Sequence, residues 1–189
     1  MNGLADGITI RAMQADDAPA VLAFARALPA HDLLFLPRDI THPKVLDAWV
    51  QELERGTLTS LLALRDEQVL GCATVVYDPL SWSKHVAELR VLVGVEARGR
   101  GIGRKLMEAG FASAVALGIE KLVAHMTIDQ GAAIATFESM GYRAEGLLRD
   151  QVKDRDGVTH DIVILSHNVA AVEARADAFG LSEQFPETR

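Results

Sequence analysis

Cysteine is almost absent from the sequence, since Cys72 is the single one among 189 residues. One thiol excludes an internal disulfide and any metal site built from several cysteines. Cys72 lies between Gly71 and Ala73 in an apolar stretch. We therefore predict a buried, inert thiol rather than a nucleophile.

The sequence also lacks segments that anchor a chain in a membrane or export it. No apolar run approaches the roughly 20 residues that a membrane-spanning helix needs. The first six residues carry neither basic charge nor a long apolar stretch, so no secretory signal is visible. The six histidines show no spacing typical of metal ligands. We predict a cytoplasmic protein with no membrane partner and no metal.

Positive charge is scarce overall but concentrated in one place. There are 26 acidic residues against 19 Lys and Arg, a net charge of −7, and such a field repels nucleic acid and weakly attracts cations. Four of the positive residues nevertheless lie close together, namely Arg98, Arg100, Arg104 and Lys105. We expect an anionic ligand at this cluster and no nucleic-acid partner.

The order of apolar patterns predicts an α/β domain with a mixed sheet over residues 1–168. Alternation predicts strands over 8–11, 60–65, 69–77, 86–95, 122–127, 142–148 and 158–165. Helical spacing predicts helices after Asp16 or Asp17, from Pro43 to near Gly56, up to Gly118, and over 132–140. The resulting order is β-α-α-β-β-β-α-β-α-β-β. Residues 169–189 form a weakly helical tail, either part of the same unit or loose.

Two segments of this pattern bear on a binding site. Between residues 28 and 41, two prolines and a local apolar cluster predict an irregular loop that could line a pocket. On the strand over 86–95, alternation separates two faces, one with Ala87, Leu89, Val91 and Val93, the other with Glu88, Arg90 and Leu92.

The most informative segment is the glycine- and arginine-rich loop over 98–104, between a predicted strand and a predicted helix. Backbone N–H groups at a helix start lack partners, and glycines let a pyrophosphate approach them. A nucleoside-triphosphate loop is excluded because Gly103 is followed by Arg104 and Lys105. The glycine spacing and late position also exclude a dinucleotide fingerprint. Alone, the segment equally fits a tight turn before a solvated, basic helix start.

Two motifs together resemble a known family. The strand end Val91-Leu92-Val93 followed by Arg98-x-x-Gly101-x-Gly103 looks like the acetyl-CoA signature of the GNAT acetyltransferases. The segment from Ala133 to Tyr142 is similar to that family's late helix with its Gly-aromatic ending. The resemblance covers roughly residues 8–168. It implies splayed central strands and direct acetyl transfer from acetyl-CoA to a primary amine of a small molecule or a protein lysine.

The resemblance also implies which residues hold acetyl-CoA. The backbone of Val91 and Val93 would bind the pantetheine arm, and the amides from Gly99 to Arg104 would wrap the pyrophosphate. The full implied set is Val91, Leu92, Val93, Arg98, Gly99, Arg100, Gly101, Ile102, Gly103, Arg104, Gln130 and Phe137. Gln130 stands where asparagine is common, and Phe137 stands where a tyrosine often serves as the acid. Phenylalanine has no proton to give, so water or another residue would protonate the departing thiolate.

Two residues are candidates for the base that the reaction needs. Glu88 matches a glutamate that acts through water in many relatives, and the alternative is a solvated glutamate or an ion pair, with Arg90 as the candidate partner. His125 lies where some relatives place a catalytic glutamate, and the ordinary pKa of histidine, near 6.5, suits a base. The alternative is a hydrogen-bonded histidine in the core or at its rim.

Other functions stay open on the sequence alone. Phe137 also fits a catalytically silent acyl-CoA-binding sensor or interaction module. A transferase of longer acyl chains would differ in the volume beside Val93 and Phe137. A carboxylate or imidazole close to the thioester would favour an enzyme over the silent module. A homodimer is expected by analogy with many relatives.

Overall fold

The computed structural model describes residues 7–169. The predicted helical tail over 169–189 therefore lies outside the described residues, except for Val169. The side chain of Val169 is buried, and its backbone N–H donates to the Glu120 carbonyl at 2.8 Å. The division into a domain over 1–168 and a tail stays a prediction.

The described chain contains seven strands and four α-helices in the predicted order. They are β1 (Ile8–Ala12), α1 (Ala18–Ala27), α2 (Pro43–Glu54), β2 (Leu58–Arg65), β3 (Gln68–Val76), β4 (Val86–Val93), α3 (Ile102–Ala116), β5 (Lys121–Thr127), α4 (Gly131–Ser139), β6 (Arg143–Lys153) and β7 (Thr159–Asn168). Within residues 7–169 no helix combines the length and the apolar character needed to cross a membrane.

All seven strands form one mixed sheet in the order β1-β2-β3-β4-β5-β7-β6, which confirms the predicted fold class. β4 and β5 run parallel, and the other neighbouring pairs are antiparallel. The parallel pairing is short, because it joins only Val86 to Glu88 with Lys121 to Val123. Beyond that point β4 stays paired with β3 up to Val93, while β5 stays paired with β7. The sheet is therefore open between its two central strands.

Helices cover both faces of the sheet, and the alternation along β4 decides what each side chain meets. Leu89 packs in a buried cluster with Leu106 of α3. Leu92 points the other way and packs in a second cluster with Leu46 of α2. Burying each such side chain stabilises the fold by roughly 1.5–3 kcal/mol. Glu88 shares the Leu92 face, so its carboxylate lies on the side of α1 and α2.

Two glycines let α3 and β4 pack closely against their neighbours. A Cβ at Gly71 of β3 would lie 2.7 Å from the Leu92 carbonyl oxygen, and one at Gly110 of α3 would lie 2.6 Å from Leu89 Cδ1. Real Cβ atoms do not approach other atoms so closely. The middle of α3 is thereby held against Leu89 of β4, and β3 is held against Leu92.

Several local predictions need correction. The strand predicted over 86–95 ends at Val93, because residues 95–97 form a 3-10 turn. The loop predicted over 28–41 contains another 3-10 turn, Ala30–Leu33. Asp17 is the N-cap residue of α1, but its carboxylate caps nothing there. It accepts hydrogen bonds from Arg11 at 2.7 Å and from the Gln14 backbone at 2.8 Å instead.

The sequence-based view of Cys72 is confirmed. The side chain is buried in the cluster on the α1 and α2 side of the sheet. Burial raises the pKa of the Cys72 thiol to about 12. A thiol that stays protonated at neutral pH is a poor nucleophile.

Candidate functional site

The separation of β4 and β5 opens a cleft of about 720 Å³. Its lining comes from α3 and α4 on one face of the sheet and from the loop after α1 on the other. The predicted residues that line it are Val91, Leu92, Val93, Arg98, Gly99, Gly101, Ile102, Gly103, Arg104, His125, Gln130 and Phe137. Arg100 is not among the residues that line the cleft. Glu88 also does not line it, but contacts it through His125.

The glycine-rich loop forms one end of the cleft. Gly99 and Gly101 have φ angles of +73° and +76°, which glycine adopts without strain. Gly101 is the N-cap residue of α3 and has no side chain with which to cap the first N–H groups of that helix. A Cβ at either glycine would meet nothing within 4 Å, so the space beside them is open. A helix start of this kind favours an anion.

Two positively charged neighbours on α3, Arg104 and Lys105, lie next to the glycine-rich loop. Arg104 and Lys105 both pair with Glu108, at 3.2 Å and 3.1 Å. Both side chains are more than half exposed. Arg104 lines the cleft, and Lys105 is not among its lining residues. The two residues therefore form a natural pair for comparison.

Arg98 joins the end of β4 to the loop after α1. Its Nε donates to the Val93 carbonyl oxygen at 3.3 Å, and its Nη2 donates to the Asp32 carboxylate at 2.5 Å. Asp32 lies in the predicted pocket-lining loop, and four residues of that loop do line the cleft: Leu28, His31, Asp32 and Phe35. Arg98 thus connects the loop after α1 to the end of β4, and both of these segments line the cleft.

The two candidate bases contact each other. Glu88 Oε1 lies 3.0 Å from Nδ1 of His125, and Glu88 Oε2 accepts from Nη2 of Arg90 at 2.5 Å. Burial raises the pKa of Glu88, but the hydrogen bonds from His125 and Arg90 lower it more, to about 2. An ionised carboxylate can only accept, so Nδ1 of His125 carries the hydrogen. In neutral His125 this leaves the lone pair on Nε2.

A hydroxyl does not take the place of the missing tyrosine in the described part of the cleft. Phe137 lines the cleft and packs edge-to-face on Tyr142, with ring centroids 4.9 Å apart. The Tyr142 hydroxyl is buried away from the cleft, and burial raises the pKa of that group. Thr136 and Ser139 line the cleft, but their hydroxyls donate to carbonyls of α4 at 2.8 Å and 2.7 Å.

One polar cluster at the cleft was missed by the sequence reasoning. Nε2 of His31 lies 2.7 Å from the Asp129 carboxylate and 3.3 Å from the Thr127 hydroxyl. The hydrogen bond from Thr127 and the contact with His31 lower the pKa of Asp129. About 100 positions separate His31 from its partners, and the one available signal was the general prediction that the loop over 28–41 could line a pocket.

Known proteins resemble this chain in sequence and in fold. A model described as the acetyltransferase (GNAT) family matches residues 24–142. The mycothiol acetyltransferase of a Nocardioides species is 30% identical over 149 residues, which cover 72% of this chain and 50% of that protein. This chain thus spans about half the length of that curated relative.

Solved structures share the architecture. An N-acetyltransferase from Staphylococcus aureus Mu50 superposes with a TM-score of 0.76 at 21% identity, covering 86% of this chain and 98% of that chain. A ribosomal-protein-alanine N-acetyltransferase from Brucella melitensis has a TM-score of 0.73 at 26% identity, covering 85% of this chain and 99% of that chain.

Proposed function

This chain belongs to the GNAT family of acetyltransferases, and from that premise we propose that it moves an acetyl group from acetyl-CoA to a primary amine by direct transfer. The amine belongs to a small molecule or to a protein lysine. The observation that carries the proposal is the cleft between β4 and β5. A glycine-rich helix start and the His125–Glu88 pair both adjoin this one space.

The backbone supports the binding half of the proposal. On the side facing β5, β4 has no neighbour among the described strands beyond Glu88, so backbone groups of Val91 and the N–H of Val93 are available to a ligand, while the Val93 carbonyl accepts from Arg98. An extended pantetheine arm along that edge would gain hydrogen bonds much as an added strand does. The open amides from Gly99 to Arg104 suit the pyrophosphate. Gln130 and Phe137, at the start and in the last half of α4, line the opposite side.

The His125–Glu88 pair supports the chemical half. We assign the base to Nε2 of His125 and give Glu88 the role of a positioning residue, because its carboxylate fixes the hydrogen on Nδ1. The amine nitrogen attacks the thioester carbonyl carbon, the C–N bond forms as the C–S bond breaks, and Nε2 takes the proton lost by the amine. Phe137 has no proton to give, so the departing thiolate takes its proton from water.

A second candidate function rests on Phe137. A protein without an acid side chain beside the thioester could hold acyl-CoA as a sensor and transfer nothing. The His125–Glu88 geometry favours the enzyme, because a binding module has no use for an imidazole with its hydrogen fixed on the nitrogen away from the ligand.

Turnover separates these candidates. The purified protein is incubated with acetyl-CoA and a panel of amines, including lysine peptides, and CoA release is followed together with the mass of each amine. We expect at least one amine to gain an acetyl group. Parallel reactions with longer acyl-CoA esters test acyl-chain length. Saturable acetyl-CoA binding with no amine acetylated would support the silent module and contradict the enzyme.

Three further expectations stay predictions. They are the cytoplasmic location, the lack of nucleic-acid and membrane partners, and the homodimer. Elution volume with light scattering would decide the last of them.

A further inference from the structure

A second cavity, of about 270 Å³, lies on the α1 and α2 side of the sheet. Its walls are formed by α2, by residues 36–40 and by the facing side chains of β2, β3 and β4. Leu92 lines both this cavity and the cleft, so the two spaces adjoin. The binding of acetyl-CoA, as proposed above, uses none of the polar groups in the cavity.

A row of polar side chains runs along the sheet at this cavity, and two of its members, Thr74 and Arg90, line the cavity. Ser60, Thr74 and Arg90 are register neighbours on β2, β3 and β4, so their side chains share one face. Nε1 of Trp49 donates to the Ser60 hydroxyl at 2.9 Å, and that hydroxyl lies 3.0 Å from the Thr74 hydroxyl. Hydrogen bonds thus run from Trp49 on the wall to Thr74, next to Arg90.

Arg90 brings a donor to this row that has no acceptor. Its Nη2 is bound to Glu88, but its Nε is buried and has no hydrogen-bond partner among residues 7–169. An unpaired buried donor is costly, more so on a charged group. The Arg90 side chain lines the cavity together with Thr74, so an oxygen atom of a ligand there can accept from the guanidinium.

The charges and the size of the cavity narrow the class of ligand. Two guanidinium groups and one carboxylate line it, and Arg38 and Glu52 face each other at 3.4 Å. An ammonium group beside Arg90 would be repelled, whereas a carboxylate would be attracted, although the Glu88 carboxylate on Nη2 offsets part of that charge. The remaining walls are apolar, with Leu36, Ile40 and Val45 among them. The volume is below the roughly 300–1,000 Å³ of pockets for drug-sized ligands, so a compact molecule fits best.

We propose that this cavity binds the acceptor and that the acceptor is a free amino acid with an apolar side chain. Its carboxylate accepts from the guanidinium of Arg90, which lines the cavity, its side chain packs towards Trp49, and its amine reaches past Leu92 to His125. The Glu88 carboxylate links the two ends of this arrangement, because one oxygen binds Arg90 and the other binds His125. The inference rests on the proposed acetyl transfer and names the substrate class of that site.

Matched acceptors test the carboxylate directly on the wild-type protein. Each apolar amino acid, for example leucine, is compared with its amide and with the amine that lacks the carboxyl group, and spermidine serves as a cationic reference. We expect kcat/KM for the amino acid to exceed that of its amide and its decarboxylated amine at least tenfold. Equal or better turnover of the amide, of a peptide amino terminus or of spermidine would overturn the inference.

Arg90→Lys and Arg65→Lys give a matched pair of variants. Arg90→Lys keeps a positive charge for Glu88 but removes the guanidinium that lines the cavity, whereas Arg65 ends β2 and lines neither the cavity nor the cleft. We expect Arg90→Lys to raise KM for the amino acid about tenfold and to abolish its advantage over the amide. We expect Arg65→Lys to change both by less than threefold. An unchanged preference in a folded Arg90→Lys would count against the proposal.

A combination of binding and turnover measurements distinguishes a failure of the proposed acceptor cavity from a failure of the proposed acetyl transfer. Calorimetric titrations measure leucine and leucinamide binding to the wild-type protein saturated with CoA, next to the turnover assay. Tighter binding of leucine with no acetylation of any amine would support the cavity and defeat the acetyl transfer. Acetylation of amines without preference for the carboxylate in either assay would defeat the cavity and leave the transfer standing.

Discussion

The cleft and the cavity that meet at Leu92 are built from different parts of the chain. The cleft is lined by the end of β4, by the continuous loop into α3, by α4 and by the loop after α1, and the backbone at Gly99 and Gly101 has open space beside it. The cavity is lined by side chains from α2, β2, β3 and β4, including Thr74 and Arg90 of the polar row. Backbone groups suit a cosubstrate that a whole family shares, whereas side chains can change with the acceptor. Substitutions on the two sides should therefore have separable effects.

The largest effect is expected at the boundary between the two spaces. His125→Ala removes the proposed base, so kcat should fall about 10²- to 10⁴-fold while the Kd for acetyl-CoA changes little. Steady-state kinetics and calorimetry measure the two quantities. The control is His85→Ala, since the His85 side chain is exposed before β4. A loss of less than threefold in kcat for His125→Ala would remove His125 from the mechanism.

Leu92 lines both the cleft and the cavity, and a substitution on the neighbouring strand β3 can displace it. Gly71→Ala drives a Cβ towards the Leu92 carbonyl oxygen, which is backbone and cannot move aside, so the free energy of unfolding should fall by about 1–3 kcal/mol. Gly110→Ala meets the tip of Leu89 instead and gains about 1 kcal/mol of helix propensity, so it should be nearly neutral. Urea denaturation compares them. Equal losses would contradict the assigned difference between the two contacts.

The carboxylate that connects the two spaces gives a pH test. The pKa of Glu88 in the folded protein, about 2, lies below its ordinary value of 4.5. Ionised Glu88 therefore stabilises the fold above about pH 4.5, and this contribution is lost as the pH falls towards 2. Glu88→Gln should lower stability at pH 7 and flatten its decline between pH 4.5 and 2, as measured by urea denaturation at each pH. An acid decline as steep as in the wild type would show that other groups cause it.

The same variant has a kinetic signature. Glu88→Gln replaces the carboxylate that contacts His125 with a neutral amide, so the midpoint of the pH–rate profile should move to lower pH. A residue with a purely structural role would lower the rate without moving the midpoint.

The smallest effect is expected on the cleft side alone. Arg104→Gln should weaken acetyl-CoA binding about three- to fivefold, because an exposed charge near a phosphate contributes modestly, and the difference should shrink at high salt. Lys105→Gln removes the same charge from the same helix and the same partner, Glu108, but not from the cleft. Calorimetry should find it close to wild type. Equal weakening in both would indicate a general field rather than contact at the cleft.

The difference between the continuous loop at the cleft and the dispersed side chains of the cavity also explains which features could be predicted from the sequence. The order of strands and helices follows from local apolar periodicity, and the glycine loop is continuous, so both are visible in one segment at a time. The contact between Glu88 and His125 was not visible, although both residues were candidates, because it depends on the parallel pairing of two strands 37 positions apart. The contact between these two residues can be seen only in the folded structure.

The cavity could not be predicted from the sequence for a related reason. Ser60, Thr74 and Arg90 come from three strands, and each fits its own strand as an ordinary polar residue. Their alignment depends on two hairpin registers, and the unpaired Nε of Arg90 depends on burial by neighbouring elements. The contact of His31 with Asp129 arises in the same way.

The most direct test of the central claim is a calorimetric titration with acetyl-CoA of the wild type, Gly103→Trp and Ala112→Trp. Gly103 lines the cleft in the first turn of α3, and Ala112 is exposed on the same helix. We expect saturable binding to the wild type and to Ala112→Trp, and at least 100-fold weaker binding to a folded Gly103→Trp. Equal binding to all three proteins, or no binding to the wild type, would contradict the claim that acetyl-CoA occupies the cleft between β4 and β5.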